Sequence, residues 1–207
     1  MIEYGQIVVL NGAPRSGKSS IVHAIQERFD GPWMNLGVDV FARGVTPPQY
    51  RPGIGLRPGG ERPDLEPLVA IFYAALYESI AAHSRLGLNV AVDVGHHDAY
   101  SQPLGILPDV AARLAGLSAL FVGVRCPVDV IMARRDAAPN GYETTTAEGA
   151  IPAAVNDWQR AVHEPGIYDL ELDTSVLSPA ECADAIRNRL EHGPAPTAFA
   201  RLAERKH

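Results

Sequence analysis

The loop at residues 12–19, Gly-Ala-Pro-Arg-Ser-Gly-Lys-Ser, constrains the fold more than any other stretch of the chain. It matches the G-x-x-x-x-G-K-[ST] pattern, in which backbone N–H groups surround phosphate oxygens and two glycines permit the close approach. The apolar run at 6–11 predicts a buried strand before the loop. Ile21, Ile25 and Phe29 follow the loop and share one helical face. Strand, glycine loop and helix in this order predict an α/β domain that binds a nucleotide at a helix N-terminus.

The side chains of this loop have separate expected roles. The Lys18 ammonium should reach the β and γ phosphates, and the Ser19 hydroxyl should bind Mg²⁺. Arg15 either folds back over the nucleotide or faces solvent. A plain glycine-rich helix cap is the alternative, and the preceding strand, the spacing, the lysine and the serine together disfavour it. The residues expected to contact the nucleotide are Gly12, Ala13, Pro14, Arg15, Ser16, Gly17, Lys18, Ser19 and Ser20.

Composition and charge restrict the class of protein. The 207 residues carry a formal net charge of -6 without a basic stripe, which argues against nucleic acid as a partner. No apolar stretch approaches the roughly 20 residues of a membrane span, and the first residues do not resemble a signal peptide. Cys126 and Cys182 do not indicate a disulfide framework. We therefore expect a single domain over residues 1–207 that works in a reducing cytoplasm without membrane attachment.

Alternating strand and helix patterns continue after the first unit. A long helix is predicted from the apolar spacing at 65–80, and Ser178 opens a C-terminal helix with a capping box. This alternation predicts an α/β fold with a parallel five-stranded sheet and helices on both faces. Ligands bind such sheets beyond the carboxyl ends of the strands. The strands after the first are predicted at 34–40, 88–94, 119–125 and 168–174.

Two irregular segments are candidates for contact with a ligand. Residues 44–63 are rich in Gly, Pro and Arg and are too long for a plain connector. They predict a substrate-covering segment, with an ordinary surface excursion as the alternative. Residues 137–152 contain prolines, glycines and three threonines, which predicts a lid-like loop.

Two carboxylates are predicted at the ligand-binding edge of the sheet. Asp93 ends an apolar strand, as expected of a Walker B carboxylate that holds Mg²⁺ directly or through water, although it could instead cap a turn. Asp39 lies 21 positions after Lys18, where a carboxylate could orient a substrate hydroxyl and accept its proton. The spacing is equally compatible with a solvated turn residue at this position.

Arginines and histidines supply further candidates. Arg134 and Arg135 end a predicted helix at 127–136, where they could steady the transferring phosphoryl group or simply complement the helix dipole. His96 and His97 are adjacent, so their side chains point to different sides of the backbone and disfavour a zinc site. A substrate contact or plain loop polarity remains open for this pair.

Taken with these residues, most of the chain resembles the chloramphenicol phosphotransferase family of small P-loop kinases. The resemblance implies a nucleotide-kinase-like sheet and ATP-dependent phosphorylation of a hydroxyl on a small molecule. By matching position, Asp39 looks like the family's catalytic base, and Lys18 and Ser19 match its nucleotide and Mg²⁺ residues. The family's lid carries arginines, whereas residues 136–142 carry none, which leaves that role to Arg134 and Arg135. The matching blocks are 7–12, 37–39, 90–93, 122–126, 163–169 and 171–174.

The expected activity is therefore a Mg·ATP-dependent O-phosphotransferase that acts on a hydroxylated small molecule, such as chloramphenicol or another antibiotic. Its expected catalytic residues are Asp39, Lys18, Arg134 and Arg135, and its metal ligands are Ser19 and Asp93. A metabolic or nucleoside kinase is the alternative within kinases. A nucleotide-binding regulatory protein is disfavoured because no N-K-x-D motif occurs, and a catalytically dead binding module is disfavoured because Lys18 is present. The sequence sets neither the acceptor nor the oligomeric state.

Overall fold

Five parallel strands form one sheet in the computed structural model, which describes residues 3–138, 143–146 and 149–205. Their order across the sheet is β2-β3-β1-β4-β5, so the strand that precedes the phosphate-binding loop is central. Every pairing is parallel, which confirms the predicted α/β fold class. The strands are β1 (Ile7–Asn11), β2 (Trp33–Asn35), β3 (Asn89–Val94), β4 (Ala119–Arg125) and β5 (Leu170–Asp173).

Helices cover both faces of this sheet. Alternate residues of β1 point to opposite faces, so Ile7 and Val9 pack under one helical layer while Val8 and Leu10 pack under the other. Helices α3, α4 and α8 contribute to the first layer, and α1 and α7 contribute to the second. The helices are α1 (Lys18–Arg28), α2 (Val38–Gly44), α3 (Glu66–Arg85), α4 (Ile106–Arg113), α5 (Val128–Ala137), α6 (Ala153–Ala161), α7 (Pro179–His192) and α8 (Ala198–Ala203).

The second strand is shorter than predicted. It ends at Asn35, and α2 begins at Val38, so the strand predicted at 34–40 is wrong over its second half. The strand lies at the sheet edge and pairs only with β3, and three of its residues find partners there. The Asn35 side-chain oxygen then accepts a hydrogen bond from the N–H of Gly37 at 3.0 Å and helps to turn the chain into the helix. Asp39 consequently lies in the first turn of a helix.

The middle of the 44–63 segment is part of the hydrophobic core. Its chain forms two short 3-10 turns, Pro48–Tyr50 and Gly53–Gly55, and Ile54 and Leu56 are buried. The hydroxyl of Tyr73 donates to the Ile54 carbonyl at 3.2 Å. The hydrophobic core therefore holds this part of the segment in place.

Across the described ranges, no helix is both long and apolar enough to cross a membrane.

Candidate active site

A cavity of about 870 Å³ opens at the carboxyl ends of the strands. Its walls come from the phosphate-binding loop, α2, the 53–57 stretch, the end of β3, and α5 and α6. This is the edge at which parallel sheets bind ligands. The predicted residues that line it are Gly12, Pro14, Arg15, Gly17, Lys18, Ser19, Ser20, Asp39, Asp93, Arg134 and Arg135.

Two loop residues predicted to contact the nucleotide do not line the cavity. Ala13 is buried in a small apolar cluster with Trp158, and the Ser16 carbonyl accepts a hydrogen bond from the Thr174 hydroxyl at 2.7 Å. Both hold the loop against the protein beneath it. A ligand in the cavity therefore meets the loop mainly through its glycines and its polar residues.

The lysine of the loop lies close to both candidate carboxylates. The Lys18 ammonium donates to the carbonyls of Gly12 and Ala13 at 2.7 and 2.8 Å. Burial lowers the pKa of Lys18 to about 8, and the negative charges of Asp93 and Asp39 oppose this shift by favouring the ammonium. The three charged groups thus belong to one electrostatic unit.

Ser19 and Asp93 meet directly. The Ser19 hydroxyl donates to Asp93 Oδ2 at 2.5 Å, which brings a hydroxyl and a carboxylate together beside the loop. These are hard oxygen donors of the kind that Mg²⁺ prefers, so the pair fits the ion. Gly37 leaves room for this carboxylate, because a Cβ at that position would lie only 1.6 Å from Asp93 Oδ1.

Asp39 faces the cavity from the first turn of α2. Its side chain is 65% exposed and lies 3.5 Å from Arg43, one helical turn later. A carboxylate at an accessible position like this one can accept a proton from a ligand. Asp39 lines the same cavity as Lys18.

The two arginines of α5 have different surroundings. The Arg134 guanidinium donates to the Arg15 carbonyl at 3.2 Å and to the Thr174 carbonyl at 2.6 Å, so it bridges the phosphate-binding loop and the end of β5. Arg135 is buried and donates to the Glu143 carbonyl at 3.4 Å. The Arg15 guanidinium donates to the Ala138 carbonyl. The lid-like loop predicted at 137–152 lies partly outside the described residues, at 139–142 and 147–148.

The two adjacent histidines are buried, so plain loop polarity is the wrong interpretation of them. His96 Nε2 and the Tyr77 hydroxyl form a hydrogen bond of 2.7 Å, and burial lowers the pKa of His96 to about 3. His97 Nε2 donates to the Leu56 carbonyl at 2.9 Å, and its ring meets the edge of Trp158. Within the described part of the chain, no group of three or more His, Cys, Asp and Glu side chains could hold a metal ion.

A buried polar network behind the loop was not predicted. Asn11, the last residue of β1, donates to the Val162 carbonyl at 2.8 Å and to the Tyr168 hydroxyl at 3.0 Å. Its side-chain oxygen accepts from the backbone N–H of His96 at 2.7 Å. His163 Nδ1 lies 2.9 Å from the same tyrosine hydroxyl. A polar residue that ends an apolar strand was the available sequence signal, but its partners lie far along the chain.

Three comparisons with known proteins agree with this geometry. The family model for chloramphenicol phosphotransferase-like proteins matches residues 5–191. A Mycobacterium tuberculosis protein named as a putative O-phosphotransferase is 27% identical over 215 residues, which cover 97% of this chain and 89% of that protein.

Solved structures with the same fold include several kinases. The APS kinase of Mycobacterium tuberculosis in complex with AMPPNP and APS has a TM-score of 0.59 at 22% identity, covering 91% of this chain and 98% of that one. Shikimate kinase from Acinetobacter baumannii in complex with shikimate has a TM-score of 0.59 at 11% identity, covering 91% and 94%. These similarities confirm the P-loop kinase fold. Because the family model spans almost the whole sequence, the chain belongs to the chloramphenicol phosphotransferase-like family.

Proposed function

We propose that this protein is a Mg·ATP-dependent kinase that transfers the γ-phosphoryl group of ATP to a hydroxyl group of a small molecule. Its family membership supports phosphoryl transfer. One observation carries the rest of the proposal, namely that a single cavity is lined by Lys18, Asp39, Arg134 and Arg135. Phosphate-binding cations and a carboxylate that can accept a proton are the groups this reaction needs. We place the activity in the cytoplasm, where ATP is abundant.

The donor half of the cavity is built for polyphosphate. The loop N–H groups and Lys18 would hold the β and γ phosphates, and Arg134 and Arg135 of α5 line the same cavity. Ser19 and Asp93 would hold Mg²⁺. The bound ion supplies positive charge that screens the phosphate oxygens.

The acceptor hydroxyl is activated by Asp39 in this proposal. The hydroxyl oxygen attacks the γ phosphorus, and a bond forms between them. The bond from that phosphorus to the β–γ bridging oxygen breaks, and its electron pair leaves with ADP. The hydroxyl proton passes to the Asp39 carboxylate. Because this carboxylate is exposed, an acceptor in the cavity can reach it.

The first experiment compares Asp39→Asn with Asp129→Asn. Asp129 also lies in the first turn of a helix, α5, but it does not line the cavity. Purified protein with Mg·ATP would be offered chloramphenicol, other hydroxylated antibiotics, nucleosides and sugar acids, with products identified by mass spectrometry. We expect Asp39→Asn to lower kcat by about 100-fold or more while ATP binding is kept, and Asp129→Asn to behave as wild type. Undiminished turnover in Asp39→Asn would remove this residue as the base.

A phosphorylated antibiotic would indicate a role in resistance, and a phosphorylated metabolite or nucleoside would indicate a metabolic kinase. ATP binding without transfer to any acceptor would favour a regulatory role instead. The panel therefore separates the proposed activity from both alternatives.

A further inference from the structure

The three arginines between residues 51 and 62 differ in their partners and in whether they line the cavity. Arg51 donates to the carbonyls of Thr46 and Arg43 at 2.9 and 2.8 Å, so it holds the backbone. Arg62 pairs with Asp64 at 2.7 Å and does not line the cavity. Of the three, Arg57 alone lines the cavity.

The backbone that carries Arg57 is fixed from beneath. The buried side chain of His97 donates to the carbonyl of Leu56, the preceding residue, and the buried side chain of Tyr73 holds Ile54 in the same way. The turn at Gly53–Gly55 also packs against α2, the helix that carries Asp39. Because these contacts hold the chain before ligand arrives, little ordering of the backbone is needed for Arg57 to bind a charged group.

The present partners of Arg57 are carboxylates. Its Nη1 atom lies 3.0 Å from Glu143 Oε1 and 3.8 Å from Glu61 Oε1. Arg57 and Glu143 are 40% and 45% exposed, and an ion pair this open to water contributes little to stability. Glu143 also lines the cavity, so its carboxylate stands where a carboxylate from a ligand could replace it.

The cavity also has an apolar wall. Val38, Ile54 and Trp158 line it, together with Asp39 and its partner Arg43. We infer that the acceptor is an acid, namely a small alcohol that carries a carboxylate or a similar oxyanion, which Arg57 binds in exchange for Glu143. This inference rests on the proposed function, because it assigns the class of acceptor for that reaction. Arginine suits the task because its planar guanidinium matches the geometry of a carboxylate.

The test uses pairs of primary alcohols that differ only in a carboxylate or a carboxamide. Suitable pairs are glycerate and glyceramide, gluconate and gluconamide, and 4-(hydroxymethyl)benzoate and 4-(hydroxymethyl)benzamide. Trp33 and Trp158 are the only tryptophans, so Trp33→Phe leaves Trp158 as a fluorescent reporter in the cavity wall. Binding is measured by its quenching in the presence of Mg·ATP analogue, and phosphorylation is measured separately with Mg·ATP.

We expect at least one acid to bind about tenfold more tightly than its amide. Arg57→Gln should abolish this preference and leave amide binding unchanged. The matched control Arg62→Gln should keep the preference, because that arginine of the same segment lies outside the cavity. Glu143→Gln removes the competing carboxylate and should tighten binding of the acids alone.

The inference is overturned if no acid binds more tightly than its amide, or if Arg57→Gln leaves the ratio unchanged. Phosphorylation of the amides by wild type at rates equal to those of the matching acids would also overturn it, while the proposed kinase activity would stand. Conversely, acid binding that depends on Arg57 supports the anion site even if Asp39→Asn refutes the proposed base.

Discussion

Asn11 joins three parts of the chain at the phosphate end of the sheet, and its removal should cost measurable stability. Its side chain is 1% exposed and makes three hydrogen bonds, to the Val162 carbonyl, the Tyr168 hydroxyl and the His96 N–H. Asn11→Ala deletes all three hydrogen bonds and leaves a buried donor, the His96 N–H, and a buried acceptor, the Val162 carbonyl, without this partner. At about 1 kcal/mol for each bond, we expect the free energy of unfolding to fall by roughly 3 kcal/mol.

Urea unfolding, followed by circular dichroism and tryptophan fluorescence, measures this loss. For a chain of this size the same change should lower Tm by roughly 6–12 °C. Asn35→Ala is the matched control, since Asn35 ends the edge strand β2 and accepts one hydrogen bond, from Gly37 N–H at 3.0 Å. We expect about 1 kcal/mol for that variant. If Asn11→Ala lost no more stability than Asn35→Ala, the reasoning about the network would be refuted.

Two further predictions concern the metal site and pH. Gly37→Ala would place a methyl group 1.6 Å from Asp93 Oδ1 and force the carboxylate to move, so the Mg²⁺ concentration for half-maximal turnover should rise about tenfold. The control variant Gly44→Ala, whose Cβ would meet nothing within 4 Å, should match wild type. Equal Mg²⁺ curves for the two variants would contradict the argument. Burial lowers the pKa of His96 to about 3, below the usual value of 6.5 for a histidine. The neutral form is favoured on folding, so stability is full above pH 6.5 and falls by roughly 1.4 kcal/mol per pH unit as pH drops toward 3. Unfolding midpoints in urea at pH 7, 6 and 5 test this, and a constant midpoint would contradict it.

Local patterns predicted the parts of the site that lie close together in sequence. The loop at 12–19 needs only its own glycines, lysine and serine beside a strand and a helix, and all of these are contiguous. Asp93 was predicted because it ends an apolar strand. Asp39 was placed correctly at the cavity, but on the wrong element, because the length of an edge strand depends on its neighbour β3 and not on its own alternation.

Contacts between distant segments could not be predicted from one sequence. Asn11 and Tyr168 are 157 positions apart, and Arg57 and Glu143 are 86 apart. The burial of His96 depends on Tyr77 in α3, and a polar dipeptide after a strand looks the same whether a helix covers it or not. Only the packing of the helices on the sheet decides which polar residues become internal.

In the proposed reaction, the Lys18 ammonium would couple nucleotide binding to proton uptake. Because the pKa of Lys18 is lowered to about 8, the Lys18 side chain is neutral in roughly half of the protein molecules near pH 8. A bound polyphosphate favours the charged form, so each binding event near that pH draws about half a proton from the buffer. The heat measured by calorimetry must then include the ionisation heat of the buffer and differ between Tris and phosphate, whereas at pH 6.5 the two should agree. Nucleotide affinities measured at different pH values would therefore refer to binding reactions that take up different numbers of protons at this loop.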